Sequence, residues 1–203
     1  MTKIYLIVFL SIMLISCAKE PKRIGIQPYG NINDKTIFDI TETLQQTYQM
    51  DVIVLTEREL PEHAFINIKS PRYRADSLLK DLIRQKPDSI DYVLGITARD
   101  ISTTKRQPDG QIKQPVHTYQ DWGIFGLAYR PGESCIVSTH RLAHKEPTIY
   151  LSRLQKVAVH EIGHNLGLAH CPTAKCVMQD AVESIQTVDQ ANLKLCDQCQ
   201  QRI

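Results

Sequence analysis

The segment His160-Glu161-Ile162-Gly163-His164, followed by Gly167 and His170, constrains this chain more than any other. It closes a run from Thr148 to Leu166 in which Leu154, Ala158, Ile162 and Leu166 recur every fourth residue, the ridge of a helix. Thr148 stands where a helix cap is expected. Residues four apart lie one above the other, so His160 and His164 point the same way, nearly opposite the apolar ridge. Glycine accepts a positive φ and can turn the chain sharply, which lets Gly167 swing His170 back toward the pair. Three imidazole nitrogens leave a fourth position open, the mark of a catalytic zinc site. Glu161 lies beside the ligands, where it can take a proton from water and return it to a leaving amine. A surface helix can carry His-Glu-x-x-His by chance; the third histidine at this distance argues against that.

Cysteines take over after the helix. Cys171 follows His170 directly, then come Cys176, Met178, and a pair Cys196-x-x-Cys199. Four thiolates at such spacing can close a tetrahedral structural zinc site, whose binding energy would help fold a tail poor in apolar residues. Two disulfides are the rival arrangement in an oxidising compartment. Cys135 is the odd cysteine and reads as a small core residue. His63, His117, His140 and His144 have no ligand spacing and read as surface or loop residues.

Upstream the pattern is alternating strand and helix. Arg23 to Gln27 reads as a strand, ended by Pro28 and Gly30. Ile37, Ile40, Leu44 and Tyr48 mark a first helix, and Leu78, Leu79, Leu82 and Ile83 a second. Val52 to Leu55 has a buried-strand pattern, and Tyr92 to Thr97 is a third strand. Arg99 to Asp121 is polar and reads as a long surface loop. Trp122 to Tyr129 and Cys135 to Ser138 read as two strands joined through Pro131-Gly132. The order predicts an α/β (α+β) fold with a mostly parallel sheet and an antiparallel edge.

The N-terminus is a separate unit. Ile4 to Ile15 is apolar but too short to span a bilayer permanently, and fits a signal peptide. It ends in Leu14-Ile15-Ser16-Cys17, which resembles the lipobox of bacterial lipoproteins. We therefore expect a signal over residues 1–16, a lipidated Cys17 with a short tether to 22, and one catalytic domain over 23–203. That tether leaves no room for an inhibitory propeptide. The expected location is the bacterial cell envelope, membrane-anchored through Cys17. A net charge of +2 with no basic stripe gives no reason to expect nucleic-acid binding. A monomer is expected.

The string HEIGHNLGLAHC matches the extended metzincin signature. With Cys176, Met178, Cys196 and Cys199 it resembles the archaemetzincin family of zinc metallopeptidases. Weaker similarity extends through Val93 to Thr97, Phe125 to Ala128 and Ser138 to Leu142. The resemblance implies a metzincin-like fold: a twisted mixed sheet with helices above the cleft (residues 23–167) and a small C-terminal part below (168–203). It implies His160, His164 and His170 as ligands of a catalytic zinc, Glu161 as general base and Met178 as the Met-turn residue beneath the metal. Cys171, Cys176, Cys196 and Cys199 would hold a second, structural zinc. It also implies a peptide or protein substrate that pairs with an edge strand at about Ile124 to Tyr129. The alternative is a zinc-stabilised peptide-binding envelope lipoprotein that turns substrate over poorly.

Overall fold

The computed structural model describes residues 21–180 and 184–203. The expected signal segment and Cys17 lie outside the described residues. The chain runs β1 (Arg23–Tyr29), α1 (Asp34–Tyr48), β2 (Asp51–Val54), β3 (Phe65–Asn67), β4 (Pro71–Arg74), α2 (Ala75–Gln85) and β5 (Tyr92–Thr97). It continues through β6 (Ile101–Thr103), α3 (Val116–Tyr119), β7 (Trp122–Ile124), β8 (Gly126–Ala128) and β9 (Ser134–Ser138). The long helix α4 (Pro147–Asn165) follows, then α5 (Ile185–Gln190) and α6 (Asp197–Gln200).

The main sheet has the order β2-β1-β5-β9-β8. Its first four strands are parallel, and β8 pairs antiparallel to β9 at the edge. Side chains alternate across it as strand pleating dictates. On β5, Leu94 and Ile96 enter the core beneath α1 and α4, while Val93 enters the core beneath α2. Helices on both faces bury β5 entirely, so its sequence reads as an unbroken apolar run. The apolar ridge of α4, Leu154, Ala158 and Ile162, is fully buried against this sheet.

Four expectations need correction. Val52 to Leu55 is not a buried strand: β2 lies at the sheet edge and leaves Ile53 and Val54 exposed at 41% and 47%. The segment 99–121 is not simply a loop. It contributes β6 and α3, and β6 joins a second sheet of order β3-β4-β6-β7. Ion pairs rather than apolar periodicity hold that region. Asp100 binds Arg72 at 2.7 Å and Arg141 at 2.7 Å, and Arg72 also reaches Asp121 at 3.2 Å. Trp122 to Tyr129 is not one strand. The chain changes sheets at Phe125, so β7 pairs with β6 whereas β8 pairs with β9. Last, Thr148 does not cap α4. Glu146 is the cap residue and Pro147 occupies the first turn, where its missing N–H costs nothing.

Candidate metal centre

Helix α4 brings His160, Glu161 and His164 into the molecule, and its C-terminus places His170. The Gly167 N–H donates to the His164 carbonyl at 2.8 Å and the Leu168 N–H to the Gly163 carbonyl at 2.9 Å. That pair of bonds is a Schellman motif, and Gly167 supplies the positive φ it needs, +98°. The reversal puts the His170 ring 5.3 Å from that of His160 and 4.9 Å from that of His164, centroid to centroid. One ligand atom from each histidine lies within 4.8 Å of the others.

The three rings are held by the same device. Nδ1 of His160 bonds the Val177 carbonyl at 2.8 Å, and Nδ1 of His164 bonds the Leu168 carbonyl at 2.7 Å. Nδ1 of His170 faces the Asp180 carboxylate at 3.4 Å. Carbonyl oxygens only accept, so in His160 and His164 Nδ1 carries the proton and Nε2 keeps its lone pair. Burial and the neighbouring His164 push His160 down to about 3, and burial lowers His164 as well. Both imidazoles are therefore neutral at pH 7, the state that binds metal.

Glu161 is buried, and burial raises its carboxyl to about 8. It packs directly against β8: a Cβ placed on Gly126 would stand 2.5 Å from its Oε1. Beneath the helix, Met178 is fully buried, and a Cβ placed on Gly163 would meet its Sδ at 2.5 Å. The methionine thus forms an apolar floor one residue from His164.

The four late cysteines also converge. Cys171 and Cys196 stand 3.7 Å apart, sulfur to sulfur, and Cys176 and Cys199 stand 3.9 Å apart. A disulfide requires about 2.05 Å. A tetrahedron of sulfurs about 2.3 Å from a zinc has edges of about 3.8 Å, so the donor set fits the metal and not two bridges. The Cys199 backbone N–H leads the causes that bring Cys196 down to about 6, toward the thiolate that zinc needs. Cys135 is free and buried in the core and is not one of the converging four. His63, His117, His140 and His144 are exposed.

Residues 24–203 match the model of peptidase family M54. The chain belongs to peptidase family M54. The archaemetzincin of Methanopyrus kandleri is 34% identical over 165 residues, covering 81% of this chain and 84% of that protein. The archaemetzincin of Halobacterium salinarum is 28% identical, covering 89% and 99%. The crystal structure of the Methanopyrus kandleri archaemetzincin superposes with a TM-score of 0.72 at 30% identity, covering 89% of this chain and 92% of that one. The Archaeoglobus fulgidus archaemetzincin, crystallised with malonate, gives 0.70 at 28%, covering 89% and 99%. This M54 chain is accordingly a zinc metallopeptidase with the mixed α/β fold expected from its sequence.

Two features of the M54 site go beyond the sequence reading. The first is which groups the expected edge strand, here β8, presents. Ser138 N–H donates to the Phe125 carbonyl and Tyr129 N–H to the Ser134 carbonyl, each pair directly opposite in register. In an antiparallel ladder bonded pairs alternate with unbonded ones. Gly126 and Ala128 therefore turn their N–H and C=O outward, along the histidine cleft that they line. The second is an apolar cavity of about 70 Å³ beside His160 and Glu161, walled by Ile124, Val157, Val177 and the α5 residue Val188. A glycine inside a strand is a cue to close approach; Asp180 and the cavity carry no sequence signal.

Proposed function

We propose that this M54 peptidase hydrolyses peptide bonds at His160, His164 and His170 with Glu161 as general base. One observation carries the reading most directly. Nδ1 of each histidine faces an oxygen, and one ligand atom from each of the three converges beside a buried carboxyl beneath an open strand edge. Zinc, when bound there, supplies Lewis acidity that acidifies water and polarises a carbonyl. The peptide pairs with the outward groups of Gly126 and Ala128, which holds it extended across the cleft. A side chain flanking the cleaved bond enters the apolar cavity. Glu161 accepts the proton of the attacking water and passes it to the departing amine. A nearby cation favours its carboxylate form, offsetting the burial that raises its pKa. The four cysteines hold a second zinc, making two per chain, and residues 23–203 act as one monomeric catalytic unit. The Ile4 to Cys17 pattern supports export to a bacterial envelope and anchoring through lipid on Cys17.

The test is metal content and turnover on the domain lacking Cys17, purified under reducing conditions. Two zincs per chain are expected, with Glu161→Ala keeping both and losing about 10²–10⁴-fold in rate. Unchanged cleavage by that variant would remove Glu161 from the chemistry. Tight peptide binding without cleavage by the unaltered domain would favour a peptide-binding lipoprotein. Loss of detergent partitioning in full-length Cys17→Ser tests the anchor.

A further inference from the structure

The histidine cleft has a volume of about 340 Å³, and its wall continues past β8 to Arg130. Arg130 is exposed, and among the described residues its guanidinium makes no hydrogen bond or ion pair. Arg58, Arg72, Arg141 and Arg153 each hold an aspartate instead. Arg130 lines the same cleft as His160, His164 and His170. The acids nearby do not neutralise it. Glu161 is buried against Gly126, and Asp180 faces His170.

The apolar cavity lies at the Ile124–Gly126 end of the edge strand and Arg130 beyond the Ala128 end, with His160 and Glu161 lining both spaces. An extended peptide rises about 3.3 Å per residue, so it passes from Gly126 to Arg130 in about four residues. We propose that Arg130 binds a carboxylate of the peptide substrate, on the opposite side of the cleaved bond from the side chain held in the apolar cavity. The assignment rests on the peptidase reading above and adds a preferred substrate class: peptides with an acidic residue on one side of the bond and an apolar one on the other.

The experiment compares acetylated, amidated peptides differing only in Glu or Gln at that position, with zinc-loaded enzyme. The Glu peptide should have the higher kcat/KM by about fivefold, mostly through KM, the range of an exposed charge pair. High salt should shrink the ratio. Arg130→Ala should bring it to about one, Arg130→Lys should restore part of it, and Arg130→Glu should prefer a Lys peptide. The same ratio is measured as Kd in Glu161→Gln, which binds without turnover. If Glu and Gln peptides bind alike there, and Arg130→Ala changes nothing, the assignment is wrong even though cleavage continues. If binding shows the preference and no peptide is cleaved, Arg130 stands and the peptidase reading fails. A free-acid peptide lacking Glu identifies the chain terminus as the carboxylate if it alone gains from Arg130.

Discussion

Glu161 packs closely against Gly126. The missing Cβ of Gly126 lets the carboxyl lie against β8, the strand proposed to receive the peptide. Gly126→Ala should push Glu161 aside while leaving the metal ligands in place. We expect two zincs to remain bound and kcat/KM to fall about 10²-fold, as a displacement of about 1 Å can produce. Full activity in that variant would show that the carboxyl tolerates the shift. Burial of Glu161 also predicts a pH effect in metal-free protein. Its folded pKa of about 8 exceeds the usual 4.5, so the folded state binds the extra proton. The contribution is intact below the usual value and is lost as pH rises through the folded one. Melting temperature of the metal-free domain should therefore decline across that interval, and Glu161→Gln should flatten the decline.

At the scale of elements, α5 forms one wall of the apolar cavity and is clamped to α4. Arg153 binds Asp189 through Nε and Nη2, both at 2.7 Å. One turn later, Lys156 donates to the carbonyls of Val188 and Asp189 at 3.1 and 3.2 Å. Asp189 is partly exposed but Arg153 is buried, and Asn keeps one acceptor for it, so Asp189→Asn should cost about 1 kcal/mol of stability. Lys156→Met keeps the stem that lines the cavity and removes the tether. Both variants should blur discrimination among Ala, Leu and Phe beside the cleaved bond, read as converging KM values. Unchanged discrimination would mean the wall stands without its clamps. The elements also show what the sequence could reveal. Helix α4, β5 and the two groups of residues that converge were legible because periodicity and fixed spacing encode them. The second sheet was not. Its strands β3, β6 and β7 have three residues each, too few for a period. It is held by Asp100 between Arg72 and Arg141, far apart in the chain. The sheet change at Phe125 was hidden for the same reason, since its partners are set by register. Thr148 misled because Pro147 starts the helix earlier.

Across the whole molecule, the two metal groups share one segment. Cys171 adjoins His170, and Val177, whose carbonyl orients His160, lies between Cys176 and Met178. Cys171 N–H donates to the Met178 carbonyl at 2.8 Å, closing that segment on itself. Chelation should therefore loosen residues 168–203 before the sheet. Hydrogen exchange should show early loss there and persistent protection in β1, β5 and α1. Uniform loss would mean that the lower part is no separate cooperative unit. Cys176→Ser should reproduce the pattern and weaken metal binding at the histidines as well.

The order in which the ligands occur along the chain also gives the enzyme a built-in delay. The helix histidines are synthesised first, but on the proposed ligand sets the segment that orients them is pinned only when Cys196 and Cys199 arrive to meet Cys171 and Cys176. On that reading a nascent chain lacking the last pair has the histidines and Glu161 without their frame, and activity waits for the final knot to be tied.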